Sequence, residues 1–546
     1  MKQKFCLLLM IYSLAILSQD TDGNRVTVVE IFDTEITQFK KIKEIASFND
    51  TAKLNKSQEF SFIRKGISSD YKFRSLSAAK VSKESLPDIF NKRLFFAFGS
   101  HNSKNIGLIY DNLTKYYYTY GLSLNYFDNG YSVGNIDASS SNIDLILYSK
   151  VLRKNNLFFI NAMHNINTHY VYGFQEDDFQ FDISDNLFKN LFAFSKVTLS
   201  AISNHNNDKL ISHSTKLFMS DLNQGRENQF HASSEIVKNL NSYPLSFQLE
   251  FDKYINHDGS NLITDNIILA SISPSIEIEK FDINFDMSIG LDYDSYHGFD
   301  VFPSIISEKE IVDNILIISA GLYDDRYRNT YKSLSDINPY IHAYSPDQFE
   351  AYFIDEQELR TTETKQVFFQ VKNKIGKDEY VKAGLKYGFV ENLPSFKNNY
   401  STPLNMFLID YQDVWQLNAN LEYKWKINQL FEINFNTSYY NWGKDTVSYR
   451  SNLEVSANLM MSLRDKIKIN TGLNYFGKSY AVNNNDQYYL NQLNSRFHIN
   501  LDINYSYSKS LGAYLRFLNV SNSRNEIWLG YKEMGLNAHF GLSYTF

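Results

Sequence analysis

Few residues of this chain stand at spacings that chemistry requires. Asp292, Asp294, His297 and Asp300, in LDYDSYHGFD, put three carboxylates beside an imidazole, a set that could hold calcium or build an acid–base dyad. At a strand–loop junction such a set reads first as an acidic, solvated loop. Glu176-Asp177-Asp178 and Asp324-Asp325 read as acidic loop tips in the same way, able to reach calcium through lipopolysaccharide or simply solvated. His257-Asp258 lies in NHDGSN, a turn signal before it is a dyad. Neither a G-x-S-x-G elbow nor H-E-x-x-H occurs, no P-loop is expected, and the 11 histidines are scattered without metal-ligand spacing. The sequence therefore predicts no catalytic residue, no metal site and no cofactor.

The elements that would position any chemistry show in the hydrophobic pattern. In WQLNANLEYKWK, Trp415, Leu417, Ala419, Leu421, Tyr423 and Trp425 alternate with Gln416, Asn418, Asn420, Glu422, Lys424 and Lys426, the period of an extended strand. The alternation returns in Phe431, Ile433 and Phe435 against Glu432, Asn434 and Asn436, in Leu453 to Leu459, and in Ile467 to Tyr475. It is most regular in Phe497, Ile499, Leu501, Ile503, Tyr505 and Tyr507, opposed by His498, Asn500, Asp502, Asn504 and Ser506.

A soluble sandwich alternates too, so connection lengths decide. Tight turns after Trp425, Leu459 and Tyr507 alternate with long connections around 441–449, 477–492 and 521–534, the rhythm of an outer-membrane barrel with short periplasmic turns and longer external loops. The reading is an all-β, antiparallel transmembrane β-barrel. Seven strands from Tyr411 to Phe546 need about 19 residues each, and carrying that spacing back over 93–546 gives about 22 strands or somewhat fewer, an even number. Further strand-like runs stand at Leu94–Phe98, Tyr116–Phe127, Ile143–Val151, Leu157–Tyr172, Leu191–Ser200, Tyr243–Tyr254 and Phe281–Tyr293, and Tyr323 to Thr361 reads as an unusually long external loop.

A barrel that wide cannot fill its lumen with its own side chains. The expected lumen-facing residues are Asn418, Asn420, Glu422, Lys424, Asn434, Asn500, Asp502 and Asn504, a wet wall of mixed charge rather than a ring of one sign. Trp415, Trp425, Trp442 and Trp528 suit aromatic girdles at headgroup depth.

Composition bounds the remainder. Among 546 residues, 43% are hydrophobic and 16% aromatic, against 8 prolines and one cysteine, which excludes a disordered chain and a disulfide-stapled miniature domain. Asp and Glu (61) outnumber Lys and Arg (54), so a nucleic-acid partner is not expected. Residues 1–18 read as a cleaved secretory signal: Lys2 and Lys4 precede the apolar stretch Phe5–Leu17, too short for a transmembrane helix. Cleavage removes Cys6, so the mature chain cannot use disulfides. Residues 19–92 form a short N-terminal segment, periplasmic or lumenal, and 93–546 the barrel.

The chain ends in LNAHFGLSYTF, with Leu536, Ala538, Phe540, Leu542, Tyr544 and Phe546 on one face. This resembles the C-terminal signature of bacterial outer-membrane barrels, and the resemblance implies that Phe540, Leu542, Tyr544 and Phe546 are read by the barrel-assembly machinery. Together with Val26–Phe32, Leu76-Ser77-Ala78-Ala79-Lys80 followed by Leu86-Pro87, Tyr170-Val171-Tyr172-Gly173-Phe174 and the run Leu518–Phe546, it makes the chain resemble the TonB-dependent-receptor barrels of Bacteroidota, in a short version without the plug domain. The resemblance implies energised uptake, with Val26, Thr27, Val28, Val29, Glu30 and Ile31 as a TonB-box-like strand adding to a partner's sheet edge; a plain β-prone leader is the other reading of those six residues. Implied partners are outer-membrane lipid and lipopolysaccharide, the barrel-assembly machinery, and TonB or another outer-membrane or periplasmic protein. Three functions stay open: a transport channel or porin for small solutes, a structural subunit of a larger outer-membrane complex, and a barrel hydrolase, the last without any motif.

Overall fold

The computed structural model describes residues 90–546, apart from 113–116, 134–135, 174–188, 204–209, 224–225, 241–242, 258–262, 342–358, 400–404, 444–446, 465 and 483–489. The signal peptide, the TonB-box-like stretch, nearly all of segment 19–92, Glu176-Asp177-Asp178 and Asp258 lie outside the described residues.

Alternating side chains make each strand two-faced, and only a closed antiparallel ring satisfies every backbone group of such strands inside a membrane. Twenty-two strands, from Lys92–Gly99 to Asn537–Thr545, form that ring. Each strand pairs antiparallel with its neighbours in sequence, and the last pairs with the first: Phe540 stands opposite Phe98, Leu542 opposite Phe96 and Tyr544 opposite Leu94. Lys92 and Phe546 exchange backbone hydrogen bonds of 3.0 and 2.9 Å at the seam.

The rim that carries this seam, here the terminal rim, has connections of two to eight residues. In the turn Phe281-Asp282 both residues take positive φ, 58° and 56°, the primed geometry that matches the twist of flanking strands. At the opposite loop rim, connections run from three residues (295–297) to thirty-two (329–360). The short–long rhythm therefore holds in the C-terminal quarter and is broken upstream at 223–226, 258–262 and 295–297, where three to five residues join long strands. Glu379–Asn399 and Met406–Lys426 each have 21 residues, about twice what a bilayer crossing requires, and stand well beyond the membrane.

The outward face is apolar. Phe98, Val197, Met219, Ile289 and Leu385 are among its exposed residues, and lipid rather than water is the solvent that tolerates such a continuous band. Trp415, Tyr439 and Phe497 mark this face toward the loop rim, while Trp425, Tyr505 and Tyr507 mark it toward the terminal rim, as girdles require. Trp442 and Trp528 do not belong to them. Trp442, just past the wall strand that ends at Asn441, is buried with Val390, Leu393, Val414 and Val447, and Trp528, in the short strand Glu526–Trp528 of the last connection, lies in the loop-rim core; both fold back onto polypeptide instead of reaching the interface. The chain is thus an outer-membrane β-barrel by architecture.

Two further expectations change. Tyr323–Arg328 continues the strand Leu316–Arg328, so the long connection begins at 329, and it contains a helix, Tyr331–Ile337. Asp324 and Asp325 are accordingly strand residues rather than loop tips, because they stand opposite Lys365 and Thr364 and the ladder runs on to Arg328 opposite Thr361.

Candidate functional site

A barrel needs no hydrophobic interior, yet this one has a compact apolar core at its loop rim. Val171, Phe192, Leu222, Tyr331, Leu334, Ile341, Leu359, Phe396, Met406, Phe407, Trp528 and Tyr531 bury one another there. They come from the fifth to seventh strands of the ring, from the connection after the thirteenth, from the fifteenth and sixteenth, and from the last connection. Positions so far apart around a closed ring meet only by reaching over its mouth. The core is a cap.

Aromatic packing holds the cap's centre. Tyr531 is 1% exposed and stacks on Tyr340 with ring centroids 3.8 Å apart. Tyr172 meets both edge-on, at 5.0 and 5.9 Å, and Phe407 and Trp528 pack against each other beside them. Aromatic pairs of this kind add to the area they bury. Burial pushes the Tyr531, Tyr340 and Tyr172 hydroxyls well above the ordinary tyrosine range, so all three stay neutral donors.

Several hydrogen bonds tie the cap together, although the buried Asn338 Nδ2 and Thr361 Oγ1 find no hydrogen-bond partner among the described residues. The Tyr531 hydroxyl donates to the Asn405 carbonyl at 3.0 Å, and the Asn405 amide donates to the carbonyls of Gly173 and Leu529. Asn190 donates to the carbonyls of Pro339 and Ile341, pinning the long connection to the wall. The helix Tyr331–Ile337 is held at its start by Glu227, which accepts from the amides of Tyr331 and Lys332 at 2.6 and 3.3 Å, a carboxylate where free N–H groups face out. Gly530, at φ +86°, leaves room that a Cβ would take 2.8 Å from the Gly173 carbonyl.

Below the cap the barrel wall has two characters. Along strands Phe431–Asn441 to Leu511–Leu518 it is amide-rich, with a recess of about 420 Å³ lined by Asn434, Asn458, Asn470, Asn500, Asp502 and Arg516 among others. Asn458 and Asn470 each keep a buried side-chain oxygen without a partner among the described residues. Gly472 adds open space, since a Cβ there would approach nothing closer than 3.9 Å.

The expected lumen-facing residues stand on the face opposite the exposed Trp415 and Leu421. Asn418 is buried. Glu422 accepts from the Tyr380 hydroxyl at 2.5 Å, Lys424 pairs with Glu432 at 3.3 Å, and Asn434 donates to Glu432. Asn500 accepts from the Asn519 amide at 2.9 Å, and Asp502 pairs with Arg516 at 2.6 Å. Asn420 packs near Gly384, and Asn504 stands opposite Tyr514 in the ladder. The spacing of these residues brings no catalytic set together.

The second stretch of wall is charged. Arg326 lies 2.9 Å from Asp300, 3.6 Å from Asp292 and 2.5 Å from Glu363, over the ring of Phe302. Asp292 and Asp300 are direct cross-strand partners, a juxtaposition that repels unless a cation lies between them. Asp292 and Asp300 are therefore neutralised from the strand Leu316–Arg328, two places along in sequence from Asp292, and are not solvated in a loop. The remaining members of the acidic set, Asp294 and His297, form a 3.3 Å pair across the short turn. Replacing Arg326 with alanine leaves three carboxylates facing one another and should cost about 2–3 kcal/mol in this partly wet site. The midpoint of heat-induced unfolding, followed as a gel-mobility shift, should fall by several degrees, and Arg326→Lys should recover only part, because it lacks the planar fork.

Residues 472–479 spell G-x-x-x-x-G-K-S after all. Gly472 lies inside the strand Ile467–Phe476, and a second strand, Ser479–Val482, follows instead of a helix, so the backbone cradle of a phosphate loop cannot form there.

No protein-family model and no curated protein sequence matches the chain. Solved structures match its fold. The ferric enterobactin receptor of Pseudomonas aeruginosa superposes with a TM-score of 0.61 at 10% identity, over 84% of this chain and 80% of that one. The siderophore receptor PirA of Acinetobacter baumannii gives 0.62 at 10% identity over 85% and 81%. The copper transporter OprC gives 0.58 at 11% identity over 85% and 82%.

Proposed function

We propose that this barrel is a gated outer-membrane transport channel for small polar solutes, receptor-like rather than permanently open. The observation that carries this reading is the cap: a tightly packed aromatic core, tied by hydrogen bonds to the wall, over the mouth of a barrel whose wall is polar. On this reading the loop rim faces outward and the terminal rim the periplasm. Solute enters when the cap loosens, then passes Asn418, Asn420, Glu422, Lys424, Asn434, Asn500, Asp502 and Asn504, whose amides and paired charges offer water-like hydrogen bonding to a neutral or mixed-charge solute. The shared fold of the siderophore receptors and the copper transporter supports transport. Residues 26–31 would then contact TonB or a similar periplasmic partner by strand addition. Phe540, Leu542, Tyr544 and Phe546 would be the surface presented to the barrel-assembly machinery.

The same closure favours a second reading, a structural subunit of a larger outer-membrane complex that conducts nothing by itself. Single-channel recording in a planar bilayer, on the full-length protein and on a form lacking residues 19–92, separates the two. Closed full-length protein with openings after truncation supports a gated channel in which the N-terminal segment takes part. Large steady conductance from the full-length form overturns the gate, and silence from both forms, together with co-purifying protein from native membranes, supports the subunit.

A further inference from the structure

The charged wall contains one group of side chains that the transport reading does not use. Strands Glu227–Leu240 and Tyr243–His257 pair so that His231 stands opposite Asp252 and Ser233 opposite Glu250, while Phe218 faces His231 from the other side. Outward neighbours such as Phe230, Phe251 and Met219 are exposed, so His231, Glu250 and Asp252 share the inner face. The His231 Nδ1 lies 2.9 Å from Asp252 Oδ1 and 3.8 Å from Glu250 Oε1. One ligand atom from each of the three residues falls within 4.8 Å of the others.

Bonds to zinc-like ions of 2.0–2.2 Å place ligand atoms about 3–3.5 Å apart, so the set closes around an ion with side-chain movements of about 1–2 Å at most. Glu250 can make them: its side chain is 41% exposed and forms no hydrogen bond among the described residues. The other two are held. Phe218 stacks on the imidazole at 4.5 Å, Ser233 Oγ sits 3.0 Å from Nε2, and Gln229 donates to Asp252 while also reaching the Tyr254 hydroxyl. A polar partner on the distal ring nitrogen is how a ligating histidine is oriented.

We infer that His231, Asp252 and Glu250 form a binding site for a borderline divalent transition-metal ion, such as Zn²⁺, on the lumenal wall, independent of whether the barrel transports anything. Without the ion, Nδ1–H donates to Asp252 and the Ser233 hydroxyl donates to Nε2. Binding shifts the imidazole to its other tautomer: the proton leaves Nδ1, which takes the ion, and by exchange with water returns at Nε2 with no net release, while the Ser233 hydroxyl turns from donor to acceptor of Nε2–H. One nitrogen and two carboxylate oxygens, with remaining positions open to the lumen, favour such an ion over Ca²⁺ or Mg²⁺, which prefer all-oxygen shells. Lys196, 3.6 Å above the Phe218 ring, and Lys216, 5.5 Å from it, oppose the ion's charge and moderate its affinity.

The test uses the untagged full-length protein in detergent, titrated with Zn²⁺ by calorimetry and with Co²⁺ by its visible absorption. One ion should bind, with Ca²⁺ unable to displace it. His231→Ala should abolish binding, and Glu250→Gln and Ser233→Ala should each weaken it about tenfold or more. Glu250→Gln breaks no hydrogen bond to a described residue, so it remains informative if the histidine variant fails to assemble, which gel mobility before and after heating reports. Absence of Zn²⁺ binding in the parent protein, or equal affinity in parent and Glu250→Gln, overturns the site.

Discussion

Replacing Tyr531 with alanine should open the mouth of the barrel while leaving the barrel folded. Its ring is the piece that Tyr340, Tyr172 and Phe407 share, and its hydroxyl ties the last connection to Asn405. Deleting a fully buried aromatic side chain costs about 3–5 kcal/mol. Here that cost falls on cap packing, because the ladder hydrogen bonds that hold the wall do not pass through Tyr531. At about 1.4 kcal/mol per factor of ten, the closed-to-open ratio should drop between about a hundredfold and a few thousandfold. In a planar bilayer this appears as frequent openings in a protein that is otherwise shut. Tyr531→Phe, which keeps the stack and loses one hydrogen bond worth about 1 kcal/mol, should shift the ratio by only about fivefold. A Tyr531→Ala channel as silent as its parent would show that the cap is not what closes the pore.

The second large effect is expected at the seam. Phe546 stacks on Tyr544 at 5.4 Å and lies under the Lys92 ammonium at 5.1 Å, while its backbone closes the last ladder to Lys92. Deleting it removes two hydrogen bonds, one aromatic contact and one exposed cation–π contact at an edge, a loss of about 2–4 kcal/mol to a finished barrel. If the terminal aromatic face is also read during assembly, the yield of heat-modifiable barrel in the outer membrane should fall by ~10-fold or more, far beyond what that loss of stability explains. Refolding the same variant into detergent separates the two effects. Normal refolding with poor assembly in cells identifies a recognition role; equal deficits in both would reduce Phe546 to a structural contact.

The ring was legible where one face meets lipid and the other meets water. In Trp415–Lys426, the half of Met406–Lys426 nearer the terminal rim, and in Phe431–Asn441 and Arg496–Ser506 both faces are regularly typed, and the alternation predicts those strand segments; Met406–Val414 is not typed in this way and was not read as strand from it. The alternation fades in Ile263–Lys280 and Glu379–Asn399, where Pro274, Gly384 and Gly388 interrupt the pattern and the strand continues past the membrane into solvent. There the selection between faces is lost, so those strands went unseen.

The cap was illegible for a different reason. Its residues are single aromatics at the ends of separate connections, Tyr172, Tyr340 and Tyr531 among them, and only the ring's closure makes them neighbours. Aromatic residues in loops otherwise rich in Asn, Ser and Gly were the available signal. The pair His231 and Asp252 escaped likewise, since their partnership is set by strand register across a hairpin and not by spacing along the chain.

The seam also fixes when a barrel can exist. Ser100 donates to Asn537 across 437 residues of sequence, among the longest separations between described residues, whereas each interior strand pairs with the one just synthesised. Hairpins can form early from local contacts, but the seam must await the final strand and bear the whole loop-closure entropy. Until then the intermediate is an open sheet with two bare edges, a template for pairing with other chains. The nascent protein must therefore be kept apart from its siblings until its end arrives, and its need for an escort is written into the contact order of a single strand pair.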